Sequence, residues 1–175
     1  MSTNQEFLTT NPSEPLPELQ GLQNPEGDLY LRFFVESGQE FALPAMGIRE
    51  VLSLDPEQIT LVPNVSPLLM GILNLRGQVI WVTDIGQFLG DAQPLNTDRS
   101  EISIVAIETQ EVTVGLAVER VMGMDWLDTE QLTLSTNAPD SMAPFLKGEW
   151  MMDGTHQSLR LLDPTAILRS ARWAT

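Results

Sequence analysis

The chemistry open to this chain is narrow. Its 175 residues include no cysteine, one histidine and one lysine. Disulfides, thiolate metal sites and cysteine nucleophiles are therefore excluded. His156 lies in Asp153-Gly-Thr-His-Gln157, a polar hairpin tip where a solvated turn residue outweighs a general base. Lys147 stands between Leu146 and Gly148, which is not a phosphate loop. Neither a Gly-x-Gly-x-x-Gly fingerprint nor a Gly-x-Ser-x-Gly elbow occurs. Asp125 and Asp128 could form an acid/base pair or hold calcium, but they lack calcium-loop spacing and read as solvated loop acids. The residues thus predict no catalytic group, no metal ligand and no cofactor.

One segment stands out physically. Gly71-Ile-Leu-Asn-Leu-Arg-Gly77 sets Asn74 and Arg76 inside an apolar strand bounded by two glycines. Glycine permits close backbone approach or a positive φ. An arginine among apolar neighbours either pairs internally or presents a planar donor fork to a partner. The tryptophans are less informative. Trp81 falls in an apolar run and reads as core or subdomain junction, Trp150 reads as core, and Trp173 divides evenly between packing and partner contact.

Charge narrows the partners. Twenty-four acids against nine bases give −15 and a pI near 4.1, the wrong sign for nucleic acid or an anionic membrane surface. Partners with basic patches suit such a chain. The longest uncharged stretch, Gln58–Leu75, is interrupted by Pro63, Pro67 and Gly71, so no membrane insertion is expected. No base precedes Arg32, so a secretory signal is not expected and the cytoplasm is the default.

These residues must be positioned by short strands. Residues 1–28 carry four prolines, five acids and no base, and read as a mobile acidic arm. The remainder, 29–175, reads as the folded domain. Leu31, Phe33 and Val35 alternate on one strand face, and Phe41-Ala-Leu43 returns after a polar turn. Within Pro44–Leu54, Ile48, Val51 and Leu52 recur at helical spacing. Gln78–Thr83 is β-rich, and Asp84 suits the N-cap of a short helix ending at Gly90. The second half repeats the order: strands at Ile102–Ile107, Val112–Val118, Val121–Trp126, Phe145–Met152 and Leu159–Leu162. Asp163-Pro164 then opens a terminal helix running to about Arg172.

At an offset of about 71, Gln39-Glu40 matches Gln110-Glu111, and Arg76-Gly77 matches Lys147-Gly148. Ile48 matches Val118, and Val51 matches Val121, at about 70. Two similar β-subdomains of about 70 residues follow, each a small barrel with a marginal core of its own. They should pack together and leave a groove.

Gly71-Ile-Leu-Asn-Leu-Arg-Gly-Gln-Val-Ile80, followed by Asp84-Ile85 and Phe88-Leu-Gly90, resembles the CheW-like coupling proteins of bacterial chemosensory arrays. Phe41–Val51, Val114-Gly-Leu-Ala-Val-Glu-Arg-Val121 and Phe145-Leu-Lys-Gly148 extend the resemblance over about 29–172. It implies a mainly β fold of two intertwined SH3-like five-stranded barrels with short helices and a C-terminal helix. It also implies a non-enzymatic adaptor joining the regulatory domain of a CheA-type histidine kinase to the cytoplasmic tip of a chemoreceptor. The output would be flagellar chemotaxis, or twitching or phototaxis driven by type IV pili. Carried over by motif, Ile48, Glu50, Val51, Asn74, Arg76, Gly77, Val118 and Val121 border the receptor groove. Other CheW-like copies are further partners within arrays, and the kinase-contact residues are not assigned. Two other readings are a small carboxylate enzyme working in the inter-barrel groove and a binding protein that regulates only the kinase.

Overall fold

The computed structural model describes residues 27–110, 112–152, 157–170 and Trp173. The hairpin tip with His156 and nearly all of the arm therefore lie outside the described residues. The first half supplies β1 (Asp28–Phe34), β2 (Glu40–Pro44), β3 (Ile48–Leu54), β4 (Leu69–Leu75), β5 (Gln78–Asp84) and α1 (Ile85–Phe88). The second half supplies β6 (Ile102–Glu108), β7 (Thr113–Val118), β8 (Arg120–Leu127), β9 (Leu146–Met151), β10 (Ser158–Leu162) and α2 (Pro164–Leu168). Asp84 and Asp163 cap the two helices as their positions in the sequence predict.

Strand order shows how the halves combine. One sheet runs β8-β1-β2-β10-β9 and the other β3-β6-β7-β5-β4. In each sheet the central hairpin comes from one half and the three flanking strands come from the other. The two orders become identical when the halves are exchanged, so the molecule has an internal pseudo-two-fold axis. The expected fold, mainly β with two intertwined five-stranded subdomains, is the one observed.

Alternation along the strands divides the apolar residues among three cores. Leu31, Phe33, Phe41 and Leu43 of one sheet meet Val105, Ile107, Leu116 and Val118 of the other in a shared core. Behind the second sheet, Leu54, Leu73, Ile80, Ile104 and neighbours form a core of its own. Behind the first sheet, Tyr30, Ala42, Trp150, Leu159 and Leu161 form a smaller one. Side chains from both sheets thus pack together at the subdomain junction.

Neither sheet closes through a continuous ladder. The chain leaving β3 instead turns through a 3-10 helix, Pro56–Gln58, and Thr60 pairs with Ile72 on β4, the opposite edge. Its two backbone hydrogen bonds measure 2.8 and 2.9 Å. The chain leaving β8 does the same, pairing Thr133 with Glu149 on β9. Each crossing lies against a glycine. A Cβ on Gly71 would sit 2.2 Å from the Thr60 carbonyl oxygen, and one on Gly148 would sit 2.6 Å from that of Thr133. Gly148 therefore corresponds to Gly71, and the pairing of Lys147-Gly148 with Arg76-Gly77 is corrected. Arg76-Gly77 forms the β4–β5 turn, while Lys147-Gly148 lies within β9.

The segment with helical spacing is also corrected: residues 48–54 form a strand. The ladder pairs Ile48 with Ile107 and Glu50 with Ala106, so Arg49 is an extra, bulged residue. A bulge shifts the alternation by one and puts Ile48 and Val51 on one face. Three-residue spacing then imitates a helix. The terminal helix is shorter than expected, ending at Leu168, and Arg172 lies outside the described residues.

Two outcomes follow. Gly71→Ala is expected to cost about 2–4 kcal/mol in urea unfolding, because its Cβ meets backbone at a φ of +149°. Gly77→Ala should cost only about 1–2 kcal/mol, since its Cβ meets nothing within 4 Å and φ is +85°; equal losses would refute the closure. Asp84 is buried, and burial raises its carboxyl above the ordinary 3.8 despite hydrogen bonds from Leu95, Gln87 and Gly86. Its contribution to stability is therefore full below about pH 3.8 and is lost as pH rises through the raised value. The stability of wild type minus that of Asp84→Asn should shrink between pH 4 and pH 7; a constant difference would refute this.

Candidate functional site

The β4–β5 hairpin closes on two residues, Arg76 and Gly77, with φ of +52° and +85°. Positive φ at both positions gives the twist that a two-residue hairpin needs, and Asn-Gly is the usual sequence. Arginine in the first position costs about 1 kcal/mol of backbone strain. Asn74 offsets part of this by accepting the Gly77 N–H at 2.9 Å. The side chain placed at this cost is 73% exposed.

It reaches the other edge of its sheet. Arg76 Nε and Nη2 each donate to a Glu50 carboxylate oxygen at 3.2 Å. Next to it, Arg49 Nη1 donates to Gln78 Oε1 at 2.6 Å. These bonds join β3 to the β4–β5 turn across a gap no ladder spans. The Arg76 guanidinium hydrogen bonds hold the Glu50 carboxyl below its ordinary range, and Glu50 raises Arg76 in return. Arg76 is thus paired within the chain and still faces solvent.

The structure brings Glu50, Asn74, Arg76 and Gly77 into one cluster, with Val51 41% exposed beside Glu50 on β3. Ile48 packs against the shared core at the start of the same strand. Val121 lies on β8, the edge of the other sheet. There the ladder pairs Phe33 with Val121 and Arg32 with Gly123, so Met122 is bulged. By register Val121 is thus the pseudo-symmetric mate of Ile48, where the sequence comparison paired it with Val51. Val118 takes a different place. At 1% exposure it is a shared-core residue with no surface to offer a partner.

Several residues were missed. Arg49 anchors the cluster, and Met122 and Met124 are 54% and 50% exposed on the β8 edge. Gly123 inside an apolar run was the available sign of a bulge. Trp81, read as core or subdomain junction, is 38% exposed and pairs with Val114 of the other half. It lines an apolar pocket of about 500 Å³ with Leu69, Val112, Val114 and Trp173. Trp150 is buried as expected, donating to the Asp128 carbonyl at 2.8 Å. Trp173 stacks on Phe88 at 4.8 Å. Asp125 pairs with Arg32 and Asp128 caps a 3-10 helix, so these two carboxylates serve separate structural roles. Among the described residues no group of three acids or histidines is arranged to hold a metal, and no helix is long and apolar enough to cross a membrane.

The chain is 33% identical over 102 residues to "Chemotaxis protein CheW" of Thermotoga maritima, covering 58% of this chain and 64% of that protein. It is 30% identical over 119 residues to "Protein PilI" of Pseudomonas aeruginosa, covering 66% and 63%. The matched stretches span just under two thirds of these relatives' lengths. The fold matches the crystal structure of the scaffolding protein TtCheW from Thermoanaerobacter tengcongensis, with a TM-score of 0.65 at 20% identity over 78% of this chain and 89% of that one. The model of the CheW-like domain matches residues 30–172, and with this fold and the Arg76 hairpin in place the chain belongs to the CheW-like domain family.

Proposed function

We propose that this protein is a non-enzymatic adaptor that couples a chemoreceptor's cytoplasmic tip to the regulatory domain of a CheA-type histidine kinase in a chemosensory pathway. The observation that carries the reading is the Arg76–Glu50 pair on a strained, solvent-facing turn. An exposed ion pair adds little stability, about 0–1 kcal/mol, and an arginine is not needed to turn the hairpin. What the arrangement supplies is a fixed donor fork beside apolar side chains. Glu50 engages Nε and Nη2 of Arg76, which orients the guanidinium, while Nη1 donates to no described residue on a side chain that is mostly exposed. Val51 adds apolar area next to it. Area with one oriented charge is how an adaptor sets both affinity and register.

Binding, with no bond made or broken, is the mechanism. The similarity to chemotaxis proteins and to PilI supports a motility-linked pathway, flagellar or pilus-driven, and cytoplasmic action beside membrane receptors. The receptor groove we assign comprises Ile48, Glu50, Val51, Asn74, Arg76 and Gly77, with Val121 on the opposing edge and Val118 supporting from within.

The test is binding of the full chain to a receptor-tip fragment and, separately, to the kinase regulatory domain from the same cell. Arg76→Asn suits the hairpin turn, so stability should change by less than about 1 kcal/mol. Receptor binding should fall about tenfold or more while kinase binding holds. Kinase binding without receptor binding would favour the kinase-only regulator. A folded protein that binds neither would overturn the adaptor reading.

A further inference from the structure

The pseudo-two-fold axis relates the two private cores, yet they are unequally filled. Among the described residues, the core behind the β3–β7 sheet has eleven that are buried and the one behind the other sheet has five. The difference includes a plug. The segment leading into β6 buries Leu95 in the larger core, and the Leu95 N–H donates to Asp84 Oδ2 at 2.7 Å. The depression left at that end, between Ile59, Met70 and Thr97, holds about 360 Å³.

The corresponding end of the smaller core holds a larger space. A pocket of about 550 Å³ lies between Leu29, Tyr30, Met46, Leu132, Lys147 and Leu161. Register matches Leu132 with Ile59 and Lys147 with Met70, since both pairs flank the closing bridges. Met46 at its rim is 100% exposed. Asp163, the mate of Asp84, uses only Oδ1 for its cap, and Oδ2 receives no hydrogen bond from a described residue.

What leads into β1 is the acidic arm, the counterpart of the segment that carries Leu95. The other chain end is engaged elsewhere, with Trp173 stacked on Phe88 at the shared core. Residues 1–26 carry Glu6, Glu14, Glu18 and Glu26 and no base, while Leu16, Leu19 and Leu22 recur at intervals of three. Lys147, the chain's lone lysine, has no ion-pair partner among the described residues. Leu22 lies six residues before Asp28, within roughly 20 Å of the pocket rim. A tether this short gives an effective concentration on the order of millimolar, so a weak contact suffices.

We propose that the segment Leu16–Leu22 of this same chain docks in that pocket. Leu19 and Leu22 fill it as Leu95 fills the larger core, and Lys147 faces the arm's glutamates. Because the pocket is separate from the Arg76 cluster, this holds or fails independently of the adaptor reading.

With no native cysteine, Ser13→Cys accepts a single nitroxide on the full-length protein. Amides of Met46, Leu132 and Lys147 should broaden at least about twofold more than in a Leu19→Asp/Leu22→Asp chain carrying the same label. Lys147→Glu, an exposed substitution, should weaken the broadening while leaving the rest of the amide spectrum in place. Equal broadening with and without the two leucines would mean the arm is only tethered, and overturns the proposal. Broadening centred on Trp81 and Val112 would do the same. Transfer of the effect to a separate isotope-labelled, nitroxide-free chain would assign the pocket to a second copy and refute docking within one chain.

Discussion

The molecule depends on two short parallel ladders. Trp81–Asp84 of β5 lies beside Val114–Ala117 of β7, and Arg160-Leu161 of β10 lies beside Phe41-Ala42 of β2. Each joins a strand from one half of the chain to a strand from the other. With the antiparallel pairs β1–β8 and β3–β6, they leave no sheet that one half could build alone. About seventy residues make a poor independent core. Exchange lets both halves share the core around Phe33, Phe41, Ile107 and Leu116, and small sheets become one cooperative unit. The cost is non-local pairing, which forms late because the connecting chain must be ordered first.

Exchange also leaves β3 and β8 as edges with unpaired backbone. Free edges invite indiscriminate pairing, and bulges are a common defence. Arg49 and Met122 supply them at equivalent positions. The bulge at Arg49 has a second effect, freeing that side chain to reach Gln78 while Glu50 meets Arg76. The same side chains that close the sheet thereby compose an oriented, solvent-facing charge pair. Edge protection and the exposed charge pair use one piece of geometry.

The internal symmetry is broken where side chains meet solvent. By register Trp81 on β5 corresponds to Arg160 on β10, since each lies beside the same position of the neighbouring hairpin strand. Around Trp81 the surface is an apolar pocket with Val112 and Val114. Around Arg160 it is polar, with Gln39 accepting from the guanidinium at 3.0 Å and Ser37 and Ser158 nearby. One backbone plan thus presents two chemically distinct ends. A scaffold can hold different partners at each, because a group suited to one end is left unpaired or desolvated at the other.

Much of this was fixed by local patterning. Alternation at Leu31, Phe33 and Val35, the caps at Asp84 and Asp163, and the glycines around Asn74 and Arg76 are dictated by neighbours within a few residues. The sequence alone therefore determined the β class, the twofold repeat, where the two helices start and the family. Tertiary structure decided the rest. Val118 keeps phase with Val114 and Leu116, and only the exchanged sheet shows that this face is covered by the shared core. Trp81 sits in an apolar run, yet it lies on the face opposite Ile80 and Val82, where it lines a pocket and no private core covers it. The bulge at Arg49 turned a strand into apparent helical spacing, and Gly148 could be matched to Gly71 only through the carbonyls that press on both. Glu50 and Arg76 lie 26 residues apart and meet because opposite edges of one sheet are brought together. Periodicity reports which side a residue takes relative to its own strand; what covers that side depends on strands contributed by the other half of the chain.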